Sequence, residues 1–143
     1  MVAHVAEAKW EGDFKSGSGR IKLGSGAYSG AYSYSSRFEG AEGTNPEELI
    51  GAAHAGCFAM ALSAQLSTMN FTPESIKVTA TVSLEKLGAG WTISKIHLDL
   101  AARVPGISQA AFESAAASAK ENCPVSRLFK ADITLTSVLE QAA

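Results

Sequence analysis

Cys57 and Cys123 are the two thiols of the 143-residue sequence, and their settings differ. Cys57 lies in the middle of a long apolar stretch, residues 45–66, while Cys123 stands directly before Pro124. A thiol in an alanine-rich helix can be no more than a small hydrophobe in a core. A thiol at a helix end, where a further turn over 125–129 can begin, lies near backbone N–H groups and is open to partial activation. One thiol on a helix and one at a chain junction permit a pair in which the first attacks and the second closes a disulfide.

Such chemistry needs a positive neighbour, because a free thiol titrates near pH ~8.5 and is mostly inert at neutrality. Arg37 is the best candidate, the one strongly basic residue between Lys22 and Lys77. Its guanidinium stays charged and can stabilise both a thiolate and a departing oxygen. The alternative is a surface arginine, since strand parity points it away from Phe38. Glu47 and Glu48 have a structural explanation as first-turn carboxylates that favour the helix dipole. Glu47 stands ten residues before Cys57, about 15 Å along a continuous helix. A single site holding both therefore needs Arg37 as a bridge, a helix broken near Gly51, or a partner chain.

His54 lies one helical turn before Cys57, a spacing that permits a thiolate–imidazolium pair. On so apolar a helix, a hydrogen-bonded core histidine is the competing reading. His54 and Cys57 would need two further ligands to hold a metal, and the sequence nominates none. The glycines at 17, 19, 24 and 26 are turn glycines without the strand–helix setting of a phosphate loop.

The elements that must position these residues follow from pattern. Residues 3–10 and 19–24 read as short strands joined by a glycine- and serine-rich turn. Tyr32, Tyr34 and Phe38 alternate with Ser33, Ser35 and Arg37, which predicts a further strand. Asn45 caps the helix of 45–66, Pro46 suits its first position, and small residues surround its axis. A helix apolar all round is a buried one. Strands follow at 76–85 and 91–100 around a turn at 87–90, and the apolar parity of the second flips between Ser94 and Lys95, predicting a bulge. A helix over 108–121 capped by Ser108 and a strand over 131–139 complete the chain. The order predicts one α+β domain spanning 1–143, an antiparallel sheet wrapped around a buried central helix. One small sheet covers only one side of that helix, so a homodimer that packs two such helices together is expected.

The totals agree. A chain of 143 residues suits one domain with a real core, burying very roughly 68–70% of its unfolded surface. A net charge of −2 without a basic stripe gives no reason to expect nucleic acid. The longest apolar run carries His54 and Ser63 and is a poor membrane span, and residues 1–7 lack the pattern of a signal peptide. A cytoplasmic chain is the expectation, where two thiols are chemical or buried rather than a structural bridge.

Trp10-Glu11-Gly12, Arg37-Phe38-Glu39-Gly40, the block 43–58 ending in Cys57-Phe58, and Cys123-Pro124-Val125-Ser126 together resemble the OsmC family, the osmotically inducible protein C group of OsmC/Ohr thiol peroxidases. The similarity runs nearly end to end in the family's order. It implies an OsmC-like fold, an intertwined homodimer enclosing two central helices, and reduction of organic hydroperoxides and, less well, hydrogen peroxide. By position Cys57 resembles the peroxidatic cysteine and Cys123 the resolving one. Arg37 resembles the arginine that activates the thiolate, and Glu47 the carboxylate that orients it. His54 belongs to the OsmC-type pattern, whereas the Ohr branch does without a histidine there. Gly56 departs from the more usual alanine and touches none of these roles.

The resemblance implies a mechanism without metal, haem or flavin, in which a dithiol, lipoyl groups in related proteins, restores the thiols. Phe58, Met60 and Trp91 are expected near the thiol, favouring bulky alkyl hydroperoxides. The rival readings are a redox-sensing or small-molecule-binding stress protein on the same scaffold, and a structural protein whose cysteines fill a core.

Overall fold

The alternating run 76–85 forms the strand that its period of two predicts, with Ile76, Val78, Ala80 and Val82 packed toward a core and Lys77, Thr79 and Thr81 exposed. In the computed structural model, residues 1–141 are described, and they divide into two units, Met1–Leu49 and Ile50 onward. The architecture is α+β.

The first unit holds an antiparallel sheet of β1 (Ala6–Glu11), β2 (Ser18–Leu23) and β3 (Ser29–Tyr32), in that order. The strand expected from Tyr32 to Phe38 is not formed beyond Tyr32. Tyr34–Phe38 is instead a short helix, α1. Local hydrogen bonding overrides the alternation: the Ser36 N–H donates to Ser33 Oγ at 3.0 Å, and the Ser33 N–H donates to Ser36 Oγ at 2.9 Å. This reciprocal cap satisfies two backbone donors that a strand would have paired elsewhere. The Ser36 hydroxyl also donates to the Thr44 carbonyl at 2.7 Å, tying α1 to the segment that leads into the next helix.

That helix, α2 (Pro46–Thr68), starts as predicted, with the Glu48 N–H donating to Asn45 Oδ1 at 2.7 Å and Pro46 in first position. It runs without a break through Gly51. It stops where Asn70 takes a left-handed conformation (φ 62°) and the Phe71 N–H turns back to the Leu66 carbonyl.

In the second unit, β4 (Ser75–Leu87) and β5 (Gly90–Arg103) form a hairpin around Gly88-Ala89, where Gly88 has positive φ. The register steps from Ser83 opposite Lys95 to Leu84 opposite Ile93, so Ser94 is the extra residue of a bulge where the parity flips. Next come α3 (Gln109–Asn122), capped by Ser108, then α4 (Pro124–Leu128) and β6 (Asp132–Glu140). One expectation is corrected here: β6 pairs with β5 in parallel, so this sheet is mixed rather than antiparallel. The reason is connectivity, because α3 and α4 carry the chain back across the sheet, the long crossover that a parallel neighbour requires.

The core of this unit joins Phe58, Leu62 and Leu66 of α2 to Ile96, Leu98, Leu100 and Ala102 of β5 and to Phe112, Ala115, Ala116 and Ala119 of α3. The helix α2 is long and apolar enough to cross a bilayer by length and composition. In one chain, however, it buries a single stripe, Gly51, His54, Phe58, Leu62 and Leu66, at spacings of three and four. Ala52, Ala53, Gly56 and Met60 remain exposed, so burial on all sides is not reached within one chain.

Candidate active site

Cys123 sits where two helices meet. Its N–H closes α3 on the Ala119 carbonyl at 2.9 Å, and its carbonyl opens α4 by accepting from the Arg127 N–H at 3.1 Å. Pro124 forbids continuation of α3, and the backbone at Cys123 leaves the helical region (φ −55°, ψ 125°). The expected junction is therefore present, and its thiol is fully buried.

Cys57, half-buried on α2, is the hydrogen-bonding neighbour of Cys123, and both are free thiols. Burial pushes the Cys57 thiol above its ordinary range, and the Cys123 thiol pushes it further the same way. The Val125 N–H, in the first turn of α4, opposes both by hydrogen bonding to the Cys57 sulfur.

His54 is buried one turn before Cys57, and burial holds its imidazole below the ordinary histidine range. Its Nε2 lies 2.7 Å from Ser126 Oγ, and Phe129 meets the ring edge-on at 5.6 Å. The imidazole is spoken for by Ser126 and is not among the groups that shift Cys57. Of the two roles considered for it, a hydrogen-bonded core histidine is the one formed.

In the first unit, Arg37 and Glu47 come together. Arg37 Nη2 donates to Glu47 Oε1 at 2.6 Å, and Nε reaches both carboxylate oxygens at 3.1 Å. The guanidinium also lies 5.3 Å from the Phe38 ring. Strand parity had set Arg37 and Phe38 on opposite faces; on the helix α1 consecutive side chains are ~100° apart instead. Glu48, the carboxylate passed over, accepts from the Thr44 hydroxyl at 2.8 Å and so braces the start of α2. With α2 continuous through Gly51, a broken helix no longer relates Glu47 to Cys57.

Two features escaped the sequence reading. Trp10, Phe14, Tyr32, Tyr34, Phe38 and Pro46 surround Arg37 with an apolar pocket of about 250 Å³, knit by edge contacts such as Phe14 on Tyr34. The concentration of aromatic residues between 10 and 38 was the signal for it. Of the residues expected near the thiol, Phe58 is buried in the core against which Cys57 packs, while Met60 and Trp91 are exposed. The second is Ser126, the last residue of the Cys-Pro-Val-Ser run, whose hydroxyl meets His54. Among the described residues no three His, Cys, Asp or Glu side chains group as metal ligands.

A mixed α+β scaffold with a half-buried free thiol on α2 beside a buried one at the α3–α4 junction defines a small α+β dithiol protein. The chain belongs to the OsmC family: the model of the OsmC-like protein family matches residues 39–138. It is 52% identical over 137 residues to the peroxiredoxin OsmC of Escherichia coli K12, covering 94% of this chain and 96% of that protein. It is 29% identical over 101 residues to an organic hydroperoxide resistance protein of Xanthomonas axonopodis pv. citri, covering 70% of this chain and 69% of that one. The crystal structure of an organic hydroperoxide resistance protein OsmC from Legionella pneumophila has the same fold, with a TM-score of 0.75 at 24% identity over 97% of this chain and 100% of that one.

Proposed function

We propose that this protein is a two-cysteine thiol peroxidase that reduces organic hydroperoxides to alcohols and, more weakly, hydrogen peroxide to water. The neighbouring free thiols of Cys57 and Cys123 carry the reading. The peroxiredoxin at 52% identity supports it.

Cys57 thiolate attacks the distal peroxide oxygen and the O–O bond breaks. The alkoxide leaves and takes a proton to become the alcohol, and Cys57 is left as a sulfenic acid. The Cys123 thiol then attacks that sulfur, releasing water and forming the Cys57–Cys123 disulfide. An external dithiol, a lipoyl-type group being one candidate, restores both thiols by exchange and is itself oxidised. Burial and Cys123 both oppose the thiolate, so the cycle needs a cation, and that role falls to Arg37 with Glu47 fixing its orientation. The apolar pocket around Arg37 suits an alkyl group better than a lone hydroperoxide, in keeping with organic substrates.

The working unit is a homodimer of single OsmC-like domains, 1–143, in the cytoplasm. The exposed small-residue face of α2, with Ala52, Ala53, Gly56 and Met60, supports this, because close helix packing against a second copy would bury it. The test is turnover of cumene hydroperoxide with a dithiol, using wild type, Cys57→Ser and Cys123→Ser. Loss of reaction in the first variant and stalled recycling in the second are expected. Wild-type protein that consumes no hydroperoxide overturns the reading.

A further inference from the structure

His54 is fully buried, yet only one of its ring nitrogens has a hydrogen-bond partner: Nε2 meets Ser126 Oγ at 2.7 Å, while Nδ1 has none. A buried unsatisfied nitrogen costs about 1–3 kcal/mol, and an apolar side chain of similar volume at this position of α2 would avoid it. The compensating contact is with Ser126, itself buried in α4. Ser126 is three residues after Cys123 and one after Val125, so the His54–Ser126 bond fastens to α2 the very turn that carries both groups touching Cys57. Apolar packing of Cys123, Val125 and Phe129 also holds that turn, but it sets no hydrogen-bond register. The helix α4 has only five residues, and its cap at Cys123 makes no side-chain hydrogen bond.

We propose that His54 is a positioning residue that acts through Ser126. The His54–Ser126 hydrogen bond docks the turn 123–126 on α2, so that Cys123 reaches the Cys57 sulfenic acid and the Val125 N–H stays on the Cys57 sulfur. Disulfide closure demands Cβ atoms ~3.5–4.5 Å apart, a tolerance that a loosened turn meets only part of the time. This role rests on the peroxidase reading for its first step, the oxidation of Cys57, but not for the closing step.

The experiment measures closure directly, as loss of free thiol after rapid mixing, with cumene hydroperoxide and separately with diamide. The latter activates a thiol without any peroxidase step. Ser126→Ala and His54→Leu should each slow closure about tenfold with either oxidant. The double variant should be no slower than the worse single one, because both remove the same bond. His54→Gln, which places a side-chain amide near the Nε2 position, should recover most of the rate. A merely space-filling histidine would be replaced better by leucine than by glutamine, the opposite ranking. Wild-type closure rates in Ser126→Ala, or additive losses in the double variant, overturn the positioning role. Failure of cumene hydroperoxide alone, with diamide closure ranked as expected, would instead overturn the peroxidase reading and leave this role standing.

Discussion

Arg37 and Glu47, ten residues apart, hold each other by three hydrogen bonds in which the guanidinium reaches both carboxylate oxygens. The cation sits at the end of α1 and the anion in the first turn of α2, so the pair also fixes how the chain enters its longest helix. A fork of this kind sets the plane of the guanidinium as well as its place.

Glu47→Gln should therefore lower kcat/KM for cumene hydroperoxide by about tenfold or more, while costing only ~1–3 kcal/mol of stability through weakened hydrogen bonds. Arg37→Lys should behave more like Arg37→Ala than like wild type, because an ammonium cannot reproduce the fork. The activating role proposed for Arg37 predicts that in Arg37→Ala the pH–rate profile of Cys57 oxidation moves to higher pH, since burial and Cys123 both raise the thiol. Steady-state kinetics across pH checks both. An unshifted profile would remove Arg37 from thiolate activation.

The two cysteines should fail in different ways. Cys57→Ser should consume no hydroperoxide. Cys123→Ser should react once and accumulate a sulfenic acid that dimedone traps and mass spectrometry detects, with no disulfide formed. If Cys123→Ser recycles with the dithiol as fast as wild type, the resolving role of Cys123 falls.

Much of this was legible in the sequence because the deciding signals are local. The Asn45-Pro46 start of α2, the Ser108 cap of α3 and the bulge at Ser94 each follow from residue type and period within a few positions. What was misread depended on competition or on distance. At Ser33 and Ser36 side chains outbid the alternation of the neighbouring tyrosines, and a helix formed where a strand was expected. The parallel pairing of β6 depends on the route of a crossover, which no single strand encodes. The His54–Ser126 contact joins residues 72 positions apart, beyond any periodicity. Both ends of that contact lay within motifs already noted, at Cys57 and at Cys123.

The exposed face of α2 gives a prediction about assembly. Ala53→Glu places a charge in the middle of the small-residue face without touching the buried stripe of Gly51, His54, Phe58 and Leu62. It should convert a dimer to monomer by sedimentation, or weaken it by at least about tenfold in Kd, while helix content by circular dichroism is kept. An unchanged sedimentation profile would mean that this face is not the contact between copies.

The last prediction concerns pH and stability at His54. Burial lowers the folded-state pKa of its imidazole, while in the unfolded chain it titrates near ~6.5. Above that value both states are neutral and the stability that depends on His54 is fully present. As the pH falls, the unfolded chain takes up a proton that the folded site resists, and stability is lost until the folded pKa is passed. The melting temperature of wild type should thus fall between pH 7.5 and pH 5 more steeply than that of His54→Gln, which has nothing to titrate there. Comparison with the variant cancels the other histidines, His4 and His97, which both proteins share. Thermal melts of the two across that range decide it: converging curves at low pH are expected, and parallel ones would mean that His54 is not held neutral in the fold.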